Sequence, residues 1–259
     1  MRKALRAPFP WFGGKSRVAR LVWERFGEVR NYVEPFFGSG AVLLGRPSEP
    51  KIETVNDADA YLSNFWRAVA ADPDEVARWA DWPVNEARGV LRQSHQVPSL
   101  RGDSGAAGQG IQASGFLGRS GGLQAYMRAL ADRLRRVRVC CGDFERVLGP
   151  AVTTCMGTTG VLLDPPYPEE GRAICYAHDG EAVWWRAYQW AIANGADSRL
   201  RIALCGYEHP EAVFPAGWTE VAWKASGGYG RSARGKANAR RERIWFSPAC
   251  LRADQEKLF

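Results

Sequence analysis

Residues 161–167, Val-Leu-Leu-Asp-Pro-Pro-Tyr, form a short apolar run that stops at an acid, two prolines and an aromatic residue. An apolar run of this length beside a turn signal is typical of a buried strand. Pro165 and Pro166 fix the backbone and remove two amide donors, so the turn offers acceptors: the Asp164 carboxylate and the Pro165 carbonyl. With the ring of Tyr167 beside them, these groups suit a planar amine. An ordinary rigid turn is the alternative interpretation.

A second motif, Tyr-Val-Glu-Pro-Phe-Phe-Gly-Ser-Gly at residues 32–40, also follows a short strand and precedes an apolar run. Glycines at Gly38 and Gly40 allow a ligand to approach the backbone closely. A lone G-x-G is weak evidence, whereas the pattern E-P-F-x-G-x-G after a strand is much more specific for a cofactor loop.

A third motif, Pro-Trp-Phe-Gly-Gly-Lys, occupies residues 10–15 near the N-terminus. Taken alone, it resembles a phosphate-binding turn. It lacks the full G-x-x-x-x-G-K-[ST] spacing, and a P-loop is therefore rejected.

Apolar spacing elsewhere predicts strands that alternate with helices. The predicted strands cover residues 32–34, 52–55, 137–141, 161–163, 200–205, 219–224 and 243–246. The predicted helices follow Ser16, contain the apolar positions 62–69, and cover residues 123–134 and 182–194. A further helix is predicted to begin at Asp72-Pro73, with Val76 and Trp79 facing inward. This alternation predicts an α/β fold with a mainly parallel sheet covered by helices on both faces. The motifs follow the strands, where such sheets bind ligands.

The chain has 259 residues, 46% of them hydrophobic, which suffices for one large domain with a modest insertion. Residues 94–122 are rich in Gly, Ser and Gln and predict a loop-rich segment. No apolar run reaches the length of a membrane span, and residues 1–12 lack the apolar core of a signal peptide, so we expect a cytoplasmic protein. None of the six cysteines forms a C-x-x-C pair, so no metal site is expected.

The net charge of +7 is unevenly distributed. Residues 1–31, 128–138 and 226–243 carry net charges of +6, +4 and +5, respectively. Basic charge clustered in this way indicates a polyanionic partner. For residues 128–138 a solvated helix face explains the charge equally well. For residues 226–243, where Gly and Asn interleave with the charges, phosphate contact is favoured.

In chain order the motifs are W-F-G-G-K, then E-P-F-x-G-x-G, then, after a variable region, D-P-P-Y. Together, in that order, they resemble the Dam-like, D12 class of adenine-N6 DNA methyltransferases, and residues 240–248 (Arg-Arg-Glu-Arg-Ile-Trp-Phe-Ser-Pro) look like the last strand of phage-borne members. The resemblance covers most of the chain. It implies a Rossmann-like methyltransferase fold that uses S-adenosylmethionine (SAM), with a catalytic domain at 1–82 and 123–250. The insertion at 83–122 is then assigned to target recognition, and residues 251–259 to a tail.

The resemblance also implies roles for individual residues. For SAM it implies Trp11, Gly14, Lys15, Glu34, Phe36, Gly38, Gly40, Asp57, Asp143, Phe144 and Asp164. Lys15 would meet the methionine carboxylate, and Asp57, with Asp59 as the runner-up, would hold the ribose hydroxyls. Asp143 would accept from the adenine amine of SAM while Phe144 packs on its ring, although a simple strand-end turn is the alternative.

The implied reaction moves a methyl group to adenine N6 of duplex DNA, with the residues Asp164, Pro165, Pro166 and Tyr167 around an extruded base. Hydrogen bonds from the amine to Asp164 and to the Pro165 carbonyl would favour a tetrahedral nitrogen, and the transfer would rest on positioning and electrostatics. Cytosine-N4 methylation uses the same logic and stays open. A non-catalytic DNA-binding protein on this fold is the rival from another class.

Two further segments are interpreted as contact sites. The Gly-, Arg- and Asn-rich stretch 227–241 is predicted to grip DNA phosphates and to place one tyrosine near the target base; its contact residues are Tyr229, Arg231, Arg234, Lys236 and Arg240. A surface loop without a partner is the alternative. The ending Gln255-Glu256-Lys257-Leu258-Phe259 resembles the peptide by which bacterial proteins dock on the replication sliding clamp, through Gln255, Leu258 and Phe259. A C-terminal Leu-Phe that packs on its own domain is the alternative.

Overall fold

The computed structural model describes residues 5–9, 15–49, 51–80, 122–167, 181–223 and 241–252. The strands are β1 Asn31–Glu34, β2 Ile52–Asp57, β3 Val137–Cys141, β4 Thr159–Leu163, β5 Leu200–Tyr207, β6 Thr219–Ala222 and β7 Glu242–Phe246. The helices are α1 Ala19–Phe26, α2 Ala41–Leu44, α3 Ala60–Ala71, α4 Pro73–Ala80, α5 Gly122–Leu134 and α6 Glu181–Asn194, with 3-10 turns at Lys15–Arg17, Phe144–Val147 and Thr154–Met156.

These strands form one sheet in the order β3-β2-β1-β4-β5-β7-β6. The first five of that order pair in parallel, whereas β7 pairs antiparallel with both β5 and β6. The order 3-2-1-4-5 is that of a doubly wound Rossmann sheet, whose ligand crevice opens where the order reverses. The predicted Rossmann-like α/β fold is confirmed, and its reversal point lies at β1 and β4, the strands that precede two of the motifs.

Side chains alternate between the two faces of the sheet, as a strand period of two requires. On β1, Tyr32 joins the core that also contains residues of α1 to α5, whereas Val33 joins a second core with Trp184 of α6. On β4, Leu162 and Leu163 divide in the same way. The predicted layer of helices on each face is therefore confirmed.

Helix α4 begins as predicted but is rotated from the predicted orientation. Asp72 accepts a hydrogen bond from the Glu75 amide at 3.0 Å, which caps the helix. The prediction that Trp79 faces inward is wrong: Trp79 is 55% exposed, and Ala77 and Ala80 occupy the buried face instead. The indole Nε1 of Trp79 donates to Glu75 Oε1 at 2.5 Å, so its polar edge is satisfied at the surface.

The basic stretch 128–138 is partly used inside the protein. Arg133 donates to both oxygens of Glu53, at 2.5 and 2.8 Å, and Glu53 is 1% exposed. Arg46 adds a third donated bond to Glu53 at 3.1 Å. Arg128 pairs with Asp74 across α4 and α5 at 2.7 Å. At least two of the arginines in this stretch therefore neutralise acids of the fold.

Among the described helices, none combines the length and the apolar character that crossing a bilayer needs.

Candidate active site

The loop after β1 is held against the end of β2 by the carboxylate of Asp57. Its Oδ2 accepts from the Gly38 amide and its Oδ1 from the Asp59 amide, each at 2.9 Å. Asp59 itself caps α3, because its side chain accepts from the amides of Tyr61 and Leu62. Of the two acids considered for the ribose hydroxyls, Asp59 is thus engaged as a helix cap. Asp57 is the one that touches the glycine loop.

Glycine is required in this loop for conformational reasons. Gly38 and Gly40 have φ values of +49° and +67°, in the left-handed region. A Cβ on Gly40 would lie 2.8 Å from the Phe37 ring and 3.3 Å from Trp66. Trp66 also donates from Nε1 to the Gly38 carbonyl at 2.9 Å. Tight packing therefore fixes the backbone of the predicted cofactor loop.

Asn56 joins three strand ends and was not identified from the sequence. Its side-chain Nδ2 donates to the backbone carbonyls of Pro35 and Gly142, at 3.1 and 2.9 Å. Its backbone carbonyl accepts from the Phe37 amide at 2.9 Å. Asn56 is 1% exposed. The sequence signal for Asn56 was its position, directly before the acid that ends a buried strand. A polar side chain buried there must find hydrogen-bond partners on the backbone.

Glu34 faces inward beneath the loop. It is 4% exposed, and the Tyr32 hydroxyl donates to its Oε2 at 2.9 Å. Burial raises the pKa of Glu34 well above its usual value, and the bond from Tyr32 opposes that rise only in part. In this structure Glu34 supports the loop, and its predicted contact with SAM stays a prediction.

The turn after β3 is occupied by contacts within the protein. Asp143 caps the 3-10 turn by accepting from the Glu145 amide at 3.0 Å, and it pairs with Arg186 at 3.1 Å. Phe144 is 3% exposed and packs against Phe36, with ring centroids 5.0 Å apart. The predicted contacts of Asp143 and Phe144 with the adenine of SAM stay predictions. The adenine amine would have to share the Asp143 carboxylate with Arg186.

The turn after β4 brings together the first and last motifs. Lys15 Nζ lies 2.8 Å from Asp164 Oδ1, and the Tyr167 hydroxyl donates to the same oxygen at 3.1 Å. Lys15 is 5% exposed, and its ammonium also lies over the rings of Tyr167 and Trp223, 5.3 and 5.2 Å from their centroids. Burial lowers the pKa of Lys15, but the contributions of Asp164, Cys205 and Glu242 together raise it by more, so the pKa ends above its usual value.

This pairing qualifies the predicted contact of Lys15 with the methionine carboxylate. The ammonium is already beside a carboxylate of the protein, and a second anion would have to share it. Since an ammonium has three donors, it can hold both. The described contacts of Asp164 use Oδ1 and leave Oδ2 for a further donor. The sequence contained both residues but did not indicate that they pair.

Three residues that belong to none of the three motifs line the far side of this turn. Tyr207 packs edge-on against Tyr167, with ring centroids 4.8 Å apart, and lies opposite Glu242 in the β5–β7 register. The Trp223 amide donates to the Glu242 carbonyl at 3.2 Å. Glu242 is 5% exposed, and burial raises its pKa to about 7, opposed by Lys15 and assisted by Asp164.

Several predicted site residues lie outside the described part of the chain. These are Trp11, Gly14, Tyr229, Arg231, Arg234, Lys236, Arg240, Gln255, Leu258 and Phe259. The insertion at 83–122 lies outside it as well, apart from Gly122. Trp223, which precedes the stretch 227–241, and Arg241, which ends it, lie at the carboxyl edge: the Lys15 ammonium lies over the Trp223 ring, and the Arg241 guanidinium lies 5.5 Å from the Tyr207 ring centroid.

The hydrogen-bonding and charged groups at this edge of the sheet fit SAM. The carboxylate of Asp57 ends the second strand beside the glycine loop and suits paired ribose hydroxyls. The carboxylate of Asp164 and the ammonium of Lys15 suit a group that carries both an amine and a carboxylate. In addition, Asn56 Oδ1, Trp223 Nε1 and Glu242 Oε2 are buried without a hydrogen-bond partner among the described residues. Such atoms are rare and are satisfied by a ligand or by water when they border a site.

Comparison with known proteins points to one family. Residues 11–82 match the family described as D12 class N6 adenine-specific DNA methyltransferase. Proteins named DNA adenine methylase from two strains of Vibrio cholerae serotype O1 are each 32% identical over 81 residues, 30% of this chain. The aligned part is 28% of the length of those relatives. The Escherichia coli protein yhhF superposes with a TM-score of 0.39 at 14% identity, over 95% of this chain and 92% of that one, a likeness too weak to support an assignment.

The matched segment contains Lys15, the glycine loop and Asp57, which are three of the features described at the carboxyl edge. The resemblance to the D12 class of N6 adenine-specific DNA methyltransferases, predicted from the sequence, is therefore confirmed over residues 11–82.

Proposed function

We propose that this protein is a SAM-dependent DNA methyltransferase that transfers a methyl group to the N6 amine of adenine in duplex DNA. The observation that carries the proposal is the turn after β4, where Lys15 and the Tyr167 hydroxyl both hold Asp164 Oδ1. This turn lies beside the glycine loop of β1, since β1 and β4 are neighbours in the sheet. An acceptor turn and a cofactor loop are thus adjacent at the reversal point of the sheet.

The residues of the turn would act on the amine as acceptors. Asp164 Oδ2 and the Pro165 carbonyl would receive its two N–H groups and draw its lone pair out of the aromatic ring. Tyr167 would stack on the base, because its ring is fixed by Tyr207 and its hydroxyl by Asp164. SAM supplies an electrophilic methyl group when it is bound. The protein would contribute position and fixed charge rather than a covalent intermediate.

The base must leave the duplex to reach a buried turn, so base extrusion is part of the proposal. Residues 227–241 would grip the phosphates around it, because Trp223, shortly before them, and Arg241, the last of them, lie at the carboxyl edge. The logarithm of the binding constant falls linearly with the logarithm of the salt concentration. Removing charge at Arg231, Arg234 and Lys236 should reduce the magnitude of that slope by about 1 for each phosphate that the protein no longer neutralises. An unchanged slope would refute the DNA role of this stretch.

The assignment is tested by expressing the protein in a host without DNA methylation and mapping modified bases by single-molecule sequencing. Methylated adenine in a defined sequence context is expected. Methylcytosine at N4 would establish the related cytosine reaction instead. SAM binding without any modified base would indicate a DNA-binding protein that retains the fold.

Two variants of Asp164 separate chemistry from binding. Asp164→Ala should abolish methylation while duplex binding stays within about twofold, because the turn holds the reacting amine and phosphate contacts supply most of the affinity. Asp164→Asn keeps the shape and one acceptor and should retain weak turnover. Full turnover by the alanine variant would contradict the assignment.

Docking on the sliding clamp through Gln255, Leu258 and Phe259 is a separate proposal that rests on the sequence pattern alone. A pull-down with purified bacterial clamp, using the full chain and a chain that lacks residues 255–259, tests it. Capture that does not depend on these residues would refute it.

A further inference from the structure

The proposed function does not use Glu242, although Glu242 lies inside the same site. It is the first residue of β7 and pairs in register with Tyr207, at the carboxyl end of β5. Because β7 is antiparallel to β5, its beginning lies at the edge where the parallel strands end. Glu242 therefore stands at the carboxyl edge with Asp164, on a strand whose last three residues, Ile244, Trp245 and Phe246, are buried in the core.

The side chain of Glu242 is buried and incompletely satisfied. It is 5% exposed, and its Oε2 has no hydrogen-bond partner in the described part of the chain. The neighbouring Trp223, whose amide donates to the Glu242 carbonyl, has a buried Nε1 that is likewise unpartnered among these residues. Leaving a buried polar atom without a partner is costly, so two such atoms on neighbouring residues of paired chain segments indicate a place where a ligand or a proton is accommodated.

The titratable and charged groups around Glu242 come from several elements. They are Lys15 in the 3-10 turn, Asp164 and Tyr167 after β4, Cys205 on β5 and Arg243 on β7. Arg243 is directed elsewhere, since its guanidinium pairs with Glu208 at 2.6 Å and with Glu220 at 2.9 Å. The cation of the site is Lys15, and Asp164 holds it at 2.8 Å.

The carboxylate of Asp164 is already engaged by other groups. Its Oδ1 receives the Lys15 ammonium and the Tyr167 hydroxyl, and the proposed function assigns its Oδ2 to the amine. Glu242 has no comparable pair of donors among the described residues, and burial brings its pKa to about 7. A buried carboxyl near neutrality changes its charge readily when the charge beside it changes.

We propose, on the basis of the function proposed above, that Glu242 is the proton acceptor of the methyl-transfer site, ionised while a sulfonium cation is held at the carboxyl edge and protonated after transfer. In the transfer, the amine nitrogen uses its lone pair to form the N–C bond, while the S–C bond breaks and its electron pair stays on sulfur. The methylated nitrogen then loses one proton. The electron pair of that N–H bond returns to nitrogen, and the proton adds to the Glu242 carboxylate.

The inference predicts that the two forms of the cofactor differ in the protons they displace. SAM carries the sulfonium, whereas S-adenosylhomocysteine (SAH) carries a neutral sulfur and the same amino-acid tail, so protons exchanged by the tail cancel in the comparison. Near pH 7 about half of Glu242 is protonated, so SAM should release up to about half a proton more than SAH. Titration calorimetry in two buffers of different ionisation enthalpy measures this difference directly.

The variant Glu242→Gln should bind both ligands but lose the difference in proton release. Glu208→Gln is the matched control, because Glu208 also belongs to the carboxyl edge of this sheet region and also contacts Arg243, but its side chain is 63% exposed. It should keep the difference. In single-turnover methylation with saturating SAM, the rate of the unchanged protein should rise with pH through a limb below 7, because the bound sulfonium favours the ionised form of Glu242, and Glu242→Gln should be slower and lack that limb.

Equal proton release by SAM and SAH in the unchanged protein would overturn the inference, as would a difference that persists in Glu242→Gln. If that variant does not fold, the unchanged protein decides alone: the difference should be largest below pH 7, between the pKa values of Glu242 without and with the sulfonium, and decline on both sides. A flat dependence on pH refutes the role of Glu242. Failure of the protein to bind either ligand would instead refute the proposed function itself.

Discussion

Lys15 Nζ and Asp164 Oδ1 are 2.8 Å apart, in a pair whose side chains are 6% and 19% exposed. This contact joins the N-terminal motif to the turn after β4, and the Tyr167 hydroxyl shares the same oxygen. One carboxylate oxygen is therefore held by two groups of the protein, and the described contacts leave the other oxygen for the proposed amine.

Replacing Lys15 by Met should leave Asp164 as a buried carboxylate without its cation. We expect a loss of about 3 kcal/mol in the free energy of unfolding and a roughly 100-fold slower methylation. The matched control is Arg17→Met, in the same 3-10 turn but exposed, which should change neither quantity. Adding Asp164→Asn to Lys15→Met should recover most of the stability and none of the activity. Denaturant unfolding and single-turnover assays measure the two effects, and a double variant no more stable than Lys15→Met would argue against the pair.

Gly40→Ala should strain the loop after β1. The residue has a φ of +67°, and the new methyl group would lie 2.8 Å from Phe37, which is only 3% exposed and cannot move aside freely. We expect a loss of about 2 kcal/mol in stability and weaker SAM binding. Gly149→Ala is the control, because a Cβ there meets no atom of the described residues within 4 Å. Thermal unfolding and SAM titration test the pair of variants, and equal effects at both positions would count against a special role of the loop.

Asn56→Ala should uncouple the strand ends that form the cofactor edge. Its amide donates to Pro35 and Gly142, so its removal leaves two carbonyls without their donor and should cost about 2 kcal/mol. Asn31→Ala is a close control: Asn31 is also fully buried and also donates two bonds, but at the opposite end of β1. Both variants should be destabilised, and only Asn56→Ala should lose affinity for SAM. Equal affinities, measured by titration calorimetry, would contradict this role of Asn56.

The fold was predictable because its signals are local. Strand β3 matches its predicted bounds, and the Asp72 cap marks the start of α4, since both depend on short-range spacing and backbone chemistry. The prediction that Trp79 faces inward was wrong. Residues three apart share a helix face, but this spacing alone does not say which face of the helix is buried. Here the smaller Ala77 and Ala80 pack inward.

The site was predictable only where a motif marked it. Lys15 and Asp164 were identified separately, but their contact depends on the tertiary fold. Asn56 stands next to the predicted Asp57, and Glu242 lies within the segment 240–248, but no motif assigned either residue a role in the site. Their importance follows from burial, which forces a polar side chain to find partners or to shift its pKa, and burial depends on residues far away in the chain.

The pH dependence of stability should reveal Glu242 without any ligand. Its pKa of about 7 in the folded protein exceeds the usual 4.5, so between these values the folded state binds more protons than the unfolded state. Stability contributed by the neutral carboxyl is therefore fully present below about pH 4.5 and is lost as the pH rises to 7, by roughly 3 kcal/mol in all. Glu34 has a raised pKa and contributes in the same direction, so the informative quantity is the difference between the unchanged protein and Glu242→Gln. That difference, from urea unfolding at a series of pH values, should change steadily across this window and level off above it. A difference that is constant with pH would mean that Glu242 titrates normally and is not the neutral buried acid that its burial implies.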